Sequence, residues 1–337
     1  MSVDFAIVPA NVAELTVDDG YYRLILPIAA LWDVIIGDPL FLIHPVQVMG
    51  WLINGYVNLS LKLFASPWQQ RLSGVLLGVC LIVGSGWTSW FVLKFCYEVS
   101  FWLGFLCEVV LLASCFAGES LRRAAQNVLE PLSEGDLVRA RSQLSMYVGR
   151  DTDDLSETEI LRAVLETVGE NAVDGVTAPL FYAIVGTYLG VGAVPLALAY
   201  KAASTLDSMV GYLRLPYTYI GWFSAQLEDR LTWLPCRLTV LTIALFSGRP
   251  LEVLEICRRD GVLDPSPNSG WSECAYAATL GVRLGGTNFY QGEAKVKPFL
   301  GEERDPITSE TVCQALQLTR YCFWLWLAIA VIGLFWN

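Results

Sequence analysis

The chain has little charge and almost no histidine. Only 16% of its 337 residues are Asp, Glu, Lys or Arg, and His44 is the single imidazole. With one histidine and no G-x-S-x-G turn, a Ser-His-Asp hydrolase of the elbow type is excluded. Cations are outnumbered, 22 Lys and Arg against 33 Asp and Glu, for a formal net charge of −11. The clustered basic run that phosphate-backbone binding requires is missing, so nucleic acid is not an expected partner. The nine cysteines never fall in C-x-x-C spacing, which leaves no signal for zinc or a disulfide framework. Cys80, Cys96, Cys107, Cys115 and Cys322 read instead as small buried hydrophobes. A basic leader is lacking too. Asp4, Glu14, Asp18 and Asp19 precede the first apolar run, so that run is expected to stay as a membrane element and not to be removed as a signal peptide.

What the sequence does have is apolar surface. Hydrophobic residues make up 54% of it, and the mean hydropathy is +0.48, far to the apolar side for a soluble domain. No Lys, Arg, Asp or Glu occurs between Asp38 and Lys62, Arg71 and Lys94, or Asp174 and Lys201. Each gap approaches the roughly 20 residues that a membrane-spanning helix needs. The expectation is an all-α integral membrane protein of about five to seven transmembrane helices, one of them re-entrant, with amphipathic helices outside the bilayer. It would form a single membrane domain over 1–337, in which 118–174 is an extramembrane helical insert and 248–320 a polar, Gly/Pro-rich extramembrane segment. Residues 1 to about 20 read as a loose acidic tail. The expected spans include 46–61, 72–93, 99–117 despite Glu108, and a short final one at 321–336; Trp87, Trp90 and Trp102 are candidate interfacial anchors.

The densest cluster of carboxylates and amides runs from Val148 to Leu180. Ser156 and Glu159 form an S-x-x-E capping box, which predicts a helix starting near Glu157. Along it Glu159, Glu166 and Glu170 follow a common stripe at helical spacing, with Asn171 and Asp174 just beyond. Acids stacked in this way repel, so a cation should compensate them. Hard oxygen ligands suit Mg²⁺, which takes one or two carboxylates and leaves its other positions to water and phosphate. Alternatively Arg150 or Arg162 neutralises the stripe, or solvent does. The following segment, Gly175 to Tyr200, is broken by Pro179, Gly186, Gly190, Gly192 and Pro195. It could be one kinked span or two half-helices meeting at a loop, and a re-entrant path is favoured because it would bring Lys201 and Asp207 to the acids.

Three further polar blocks interrupt the apolar background. DVIIGDPLFLIHPVQVMG holds Asp33, Asp38 and His44, either as a functional corner or as a capped helix start. KAASTLDSMVGY holds Lys201 and Asp207, which could also pair with each other. LDPSPNSGWSECAYAATLGVRLGGTNFYQG offers prolines and glycines that could form either a structural loop or a backbone nest for phosphate. It is neither a P-loop nor a G-x-G-x-x-G fingerprint.

Together the blocks resemble one family. GDPLFLIHPVQVMG, VGRDTDDLSETE, ENAVDGVTAPL, TLDSMVGY and SPNSGW followed by LGVRLGG are similar, in this order and from about Leu31 to Leu300, to the CobD or CbiB family of adenosylcobinamide-phosphate synthases. Asp264-Pro265 stands where relatives commonly carry a basic residue or His before S-P-N, and Ser204 where they commonly carry Asn. The resemblance implies a multi-pass ligase of the inner membrane that joins adenosylcobyric acid to (R)-1-aminopropan-2-ol or its O-phosphate. ATP and Mg²⁺ are implied with it, and other corrinoid-pathway membrane enzymes are conceivable partners.

Residue type then suggests roles. Glu166, Glu170 and Asp174 are the candidates for metal binding, with Asp207 completing the site. Arg150 and Lys201 would meet phosphate oxygens, Arg as a bidentate fork and Lys as a point charge. Asp151 joins them as a catalytic candidate, and Asn171 and Asn268 would orient substrate. Arg283, Gly285 and Gly286 are candidates for holding the nucleotide. Two other readings stay open: a Mg²⁺-dependent membrane transferase acting on isoprenyl or lipid phosphates, which lacks the expected D-x-x-x-D pairs, and a non-enzymatic transporter or scaffold.

Overall fold

The computed structural model describes residues 20–37, 44–212 and 214–336. The expected N-terminal tail and Asp38 lie outside them. In chain order the helices are α1 (Tyr22–Ile35), α2 (Pro45–Leu63), α3 (Pro67–Val99), α4 (Phe101–Ala113), α5 (Gly118–Ser133), α6 (Leu137–Leu144), α7 (Glu157–Asn171), α8 (Ala178–Tyr188), α9 (Ala193–Val210), α10 (Tyr217–Ile220), α11 (Trp222–Phe246), α12 (Pro250–Asp260), α13 (Ser269–Leu280) and α14 (Ser309–Trp336). A π-helical turn, Ala172–Thr177, joins α7 to α8. The all-α expectation needs one correction: strands β1 (Arg283–Tyr290) and β2 (Glu293–Gly301) form an antiparallel hairpin.

The chain divides into two compact units. Of the described residues, those within 1–117, 178–231 and 326–337 form the first, and those within 118–177 and 232–325 the second. Both stretches expected outside the membrane, 118–174 and 248–320, fall in the second unit. Among the described residues, α3 and α14 are long and apolar enough to cross a bilayer, and a third crossing is counted only if α4 and α5 act as one broken span. The larger number read from the sequence is not reached on this measure. α4 alone is about 20 Å long at 1.5 Å per residue, short of a hydrocarbon core of about 30 Å.

In the first unit α3 packs on α9, α4 and α10. Close approach depends on small residues: a Cβ on Gly74 would stand 2.0 Å from the Ile220 carbonyl oxygen. The acid inside α4 is satisfied, since the Tyr97 hydroxyl donates to Glu108 at 2.7 Å. His44 is the N-cap of α2, its Nδ1 accepting from the Val46 N–H at 3.2 Å, which is the capped-start alternative. Asp33 is buried on α1. Of the cysteines expected inside, Cys115 and Cys322 are buried, Cys80 is exposed and Cys96 and Cys107 are half-buried; all nine are free thiols. Trp87 and Trp102 face outward, as anchors would.

The proline- and glycine-broken segment is two helices rather than one kinked span. α8 and α9 pack against each other, joined by a short turn in which Gly192 has φ +101°. The Gly192 N–H donates to the Gly186 carbonyl at 3.0 Å. A Cβ on Gly186 would lie 2.2 Å from the Gly192 oxygen. Gly186→Ala is therefore expected to destabilise this helical hairpin by about 1–3 kcal/mol through overpacking, seen as a lower melting temperature of the purified protein in detergent.

Candidate active site

In the second unit the capping box forms as read: the Ser156 hydroxyl accepts from the Glu159 N–H, and the Glu159 carboxylate accepts from the Ser156 N–H at 2.8 Å. The helix it starts buries Ile160, Val164 and Val168. On the same helix Glu166 is almost fully buried, and its partners are the cations named as the alternative to metal. Arg150 donates to one carboxylate oxygen. Arg162 donates to the other at 3.2 Å, and the Gly285 N–H donates to that same oxygen at 2.9 Å. Both guanidinium groups also reach the Asn288 amide oxygen, at 2.9 and 3.2 Å, and Arg162 meets the Gly285 carbonyl. Side-chain exposures of 8% for Arg150, 12% for Arg162 and 3% for Glu166 make this a buried network.

The β-hairpin is held against it. Asp151 caps the two-residue turn at its tip, accepting from the Gln291 and Gly292 N–H groups at 3.0 and 2.8 Å, while its own N–H donates to the Phe289 carbonyl at 2.8 Å. Gln291 and Gly292 have φ of +54° and +80°, the left-handed pair that a type I′ turn needs. Farther down, Leu284 pairs with Leu300 and Gly286 with Lys297, so β2 carries one extra residue at a bulge. Gly285 sits opposite it at φ +86°, where a Cβ would be 2.0 Å from the Pro298 carbonyl oxygen.

The bulged strand brings Lys297 to α13. Its ammonium lies 3.5 Å from Glu273, whose side chain is 1% exposed. Neither Glu273 oxygen accepts a hydrogen bond, and the same holds for Oδ2 of Asp264; the other Asp264 oxygen accepts from the Ser266 N–H at 2.9 Å. Gly169 lets α7 meet α13 here, since a Cβ would stand 3.2 Å from Glu273 Cα. Burial pushes the Glu273 carboxyl well above the usual range, Lys297 working against it and Glu166, Glu170 and Asp264 with it. Glu170 reaches solvent, yet the protein crowded around it raises its carboxyl as well, against Lys297 and with Asp264. Burial disfavours the Lys297 ammonium, but Glu273, Asp264, Glu166 and Glu170 outweigh it and hold the amine protonated. The directions are compatible, because one ammonium cannot neutralise three carboxylates.

The structure thus gathers Arg150, Glu166, Glu170 and Gly285 into one cluster and adds Arg162, Glu273, Asp264, Lys297 and Asn288. Asn268 is the N-cap of α13, buried near its start. Asp174 lies half-buried on the π-helical turn, and the exposed Asn171 amide donates to the Thr167 carbonyl at 2.9 Å. Gly286 pairs with Lys297, whereas Arg283 lies outward, stacked on Phe299 at 4.5 Å and paired with Glu303. Lys201 and Asp207 belong to α9 in the first unit. Among the described residues no three His, Cys, Asp or Glu side chains are grouped to hold a metal. Lys297 and the hairpin had a signal that sequence reading passed over: the Gln-Gly pair flanked by alternating residues. Glu273 had only its isolation among Ser, Cys and Ala.

Two acids four residues apart should therefore respond differently. Glu166→Ala leaves two buried guanidinium groups without their counter-ion, a loss on the order of 3–5 kcal/mol. Glu170→Ala, at a solvent-reached position, should change stability by no more than about 0.5 kcal/mol. Thermal unfolding of the two variants in detergent checks the contrast.

Comparison with known proteins agrees with the family resemblance of the sequence blocks. The family model described as CobD/Cbib protein matches residues 26–319. The chain is 52% identical to the "Cobalamin biosynthesis protein CobD" of Synechocystis sp. over 93% of its length and 92% of that protein. It is 41% identical to the "Cobalamin biosynthesis protein CbiB" of Salmonella arizonae, over 86% and 91% respectively. Against the protein of that name from Salmonella typhimurium it is 39% identical, over 90% and 95%. No solved structure matches. On this evidence the chain belongs to the CobD/CbiB family.

Proposed function

We propose that the chain acts in cobalamin biosynthesis as a membrane ligase that forms an amide between adenosylcobyric acid and (R)-1-aminopropan-2-ol or its O-phosphate, with hydrolysis of ATP. Similarity to relatives named for cobalamin biosynthesis supports the pathway. The observation that carries the reaction class is the buried charge cluster of the second unit, three cations and four carboxylates with one acid open to solvent.

A carboxylate is a poor acyl donor. Phosphoryl transfer from ATP to the corrinoid carboxylate would give an acyl phosphate and ADP; attack of the amine then forms the C–N bond, releases phosphate and gives up a proton. The residues present fit a magnesium ion bound by one or two carboxylates. Glu166 is committed to its arginines, whereas Glu170 reaches solvent in a field raised by neighbouring acids; Glu170, with Asp174, would hold the ion. When bound, magnesium would offset charge on nucleotide oxygens. Lys297, partly exposed and held protonated, is placed to meet an anionic group, and Arg150 and Arg162 maintain the wall behind it. In this reading the chain is a multi-pass protein of the inner membrane.

Mass spectrometry of the corrinoid product from purified protein, ATP and each amine in turn tests the reading. The amidated corrinoid is expected with one of the amines and only with ATP; corrinoid flux into vesicles without amide product would favour a transporter. Glu170→Gln and Asp174→Asn are each expected to lower turnover by about 10²-fold or more if they hold the ion, with the protein still membrane-inserted. Near-normal turnover of both variants at saturating Mg²⁺ would remove these residues from the metal site.

A further inference from the structure

Glu273 is an unusual carboxylate. It is 0% exposed, it accepts no hydrogen bond at either oxygen, and its one cation stands at 3.5 Å, beyond the roughly 2.7–2.9 Å of a charge-assisted hydrogen bond. Buried carboxylates are ordinarily bonded, because desolvation is repaid only by close partners. Asp264, 9% exposed, repeats the pattern at Oδ2. The two come from different segments, α13 and the loop before it, and both act on the same Lys297 ammonium. Glu170 acts on it from α7, on the solvent side. Glu273 is the acid paired with the ammonium, Asp264 and Glu170 act on it through space, and among the described residues none of the three takes part in an ion pair with an arginine.

We propose that Glu273 and Asp264, with Glu170 at the solvent side, form a divalent-cation site of the magnesium and manganese class, which the Lys297 ammonium fills in the ion-free chain. The donor set is oxygen only, with no imidazole or thiolate, as hard cations prefer. Lys297 extends from a strand on a long flexible stem and is 22% exposed, so it can withdraw toward solvent. The carboxylates are not gathered at ligand distance in this state, and rotation about the Glu side-chain bonds would bring them to an arriving ion. The inference adds Glu273 and Asp264 as inner ligands to the site that Glu170 opens to solvent. It concerns the same cluster as the ligase reading but does not need that reading to hold, since it is measured without substrate.

The test is Mn²⁺ binding by the purified full-length protein in detergent, followed by loss of the free-ion EPR signal, with Mg²⁺ as competitor. Wild type is expected to bind one ion in competition with Mg²⁺. Glu273→Gln and Asp264→Asn should each weaken binding about tenfold or more, as loss of a ligand does. Lys297→Met should tighten it about tenfold or more, because a positive charge is removed from beside the ion, and Mn²⁺ should raise its melting temperature more than that of wild type. Unchanged affinity in Lys297→Met, or binding in Asp264→Asn equal to wild type, overturns the proposal. If Glu273→Gln does not fold, these two variants decide it. Amide synthesis by wild type with no such metal response would sink the site and leave the ligase reading standing; the metal response without amide product would do the reverse.

Discussion

The second unit depends on one buried carboxylate. Glu166 accepts from two guanidinium groups and one backbone N–H, and these donors come from the loop before α7, from α7 itself and from β1. An ion taken out of water is stabilised only when its partners leave none of its lone pairs idle, and here the partners lie 16, 4 and 119 residues away. That requirement fixes the hairpin against the helix. Gly285 cannot move without stripping a donor from Glu166, and the neighbouring strand, which carries Lys297, moves with it.

Much of the local structure was legible because it is written in short spacings. The capping box gave the start of α7, and for Glu166, assigned from the sequence to a metal, the partners found are the nearby arginines named as the alternative. The hairpin was missed because a polar, glycine-rich stretch was read by composition and not by alternation. Glu273 and Lys297 were illegible for a deeper reason: neither has a helical neighbour of opposite charge, and their pairing exists only once α13 and β2 are packed. Membrane span counts suffered from the opposite problem. Apolar stretches without charge predict burial equally well against lipid and against protein, and α8 with α9 shows the second kind of solution.

The cluster also explains why a single residue can look catalytic by type and serve structure in place. Asp151 has the chemistry of a general base but is tied to two N–H groups at a hairpin tip; Gly285 has the form of a phosphate nest but donates to a carboxylate. What remains for ligands is the poorly satisfied part of the network around Glu273, Asp264 and Glu170. Function in a CobD/CbiB chain would then rest on groups that folding leaves under-bonded, while the fully bonded ones keep the geometry.

The bulge in β2 has a consequence of parity. Counting back from the inward Leu300, strict alternation would turn residue 297 outward, yet Val296 and Phe299, three apart, are both exposed at 76% and 57%, and Lys297 points to α13. One inserted residue has exchanged inside for outside along the rest of the strand. The charge at the centre of the cluster is thus set by an odd or even count, so straightening the bulge without shortening the strand would turn Val296 toward α13 and the lysine to solvent, with every side chain of the site still encoded.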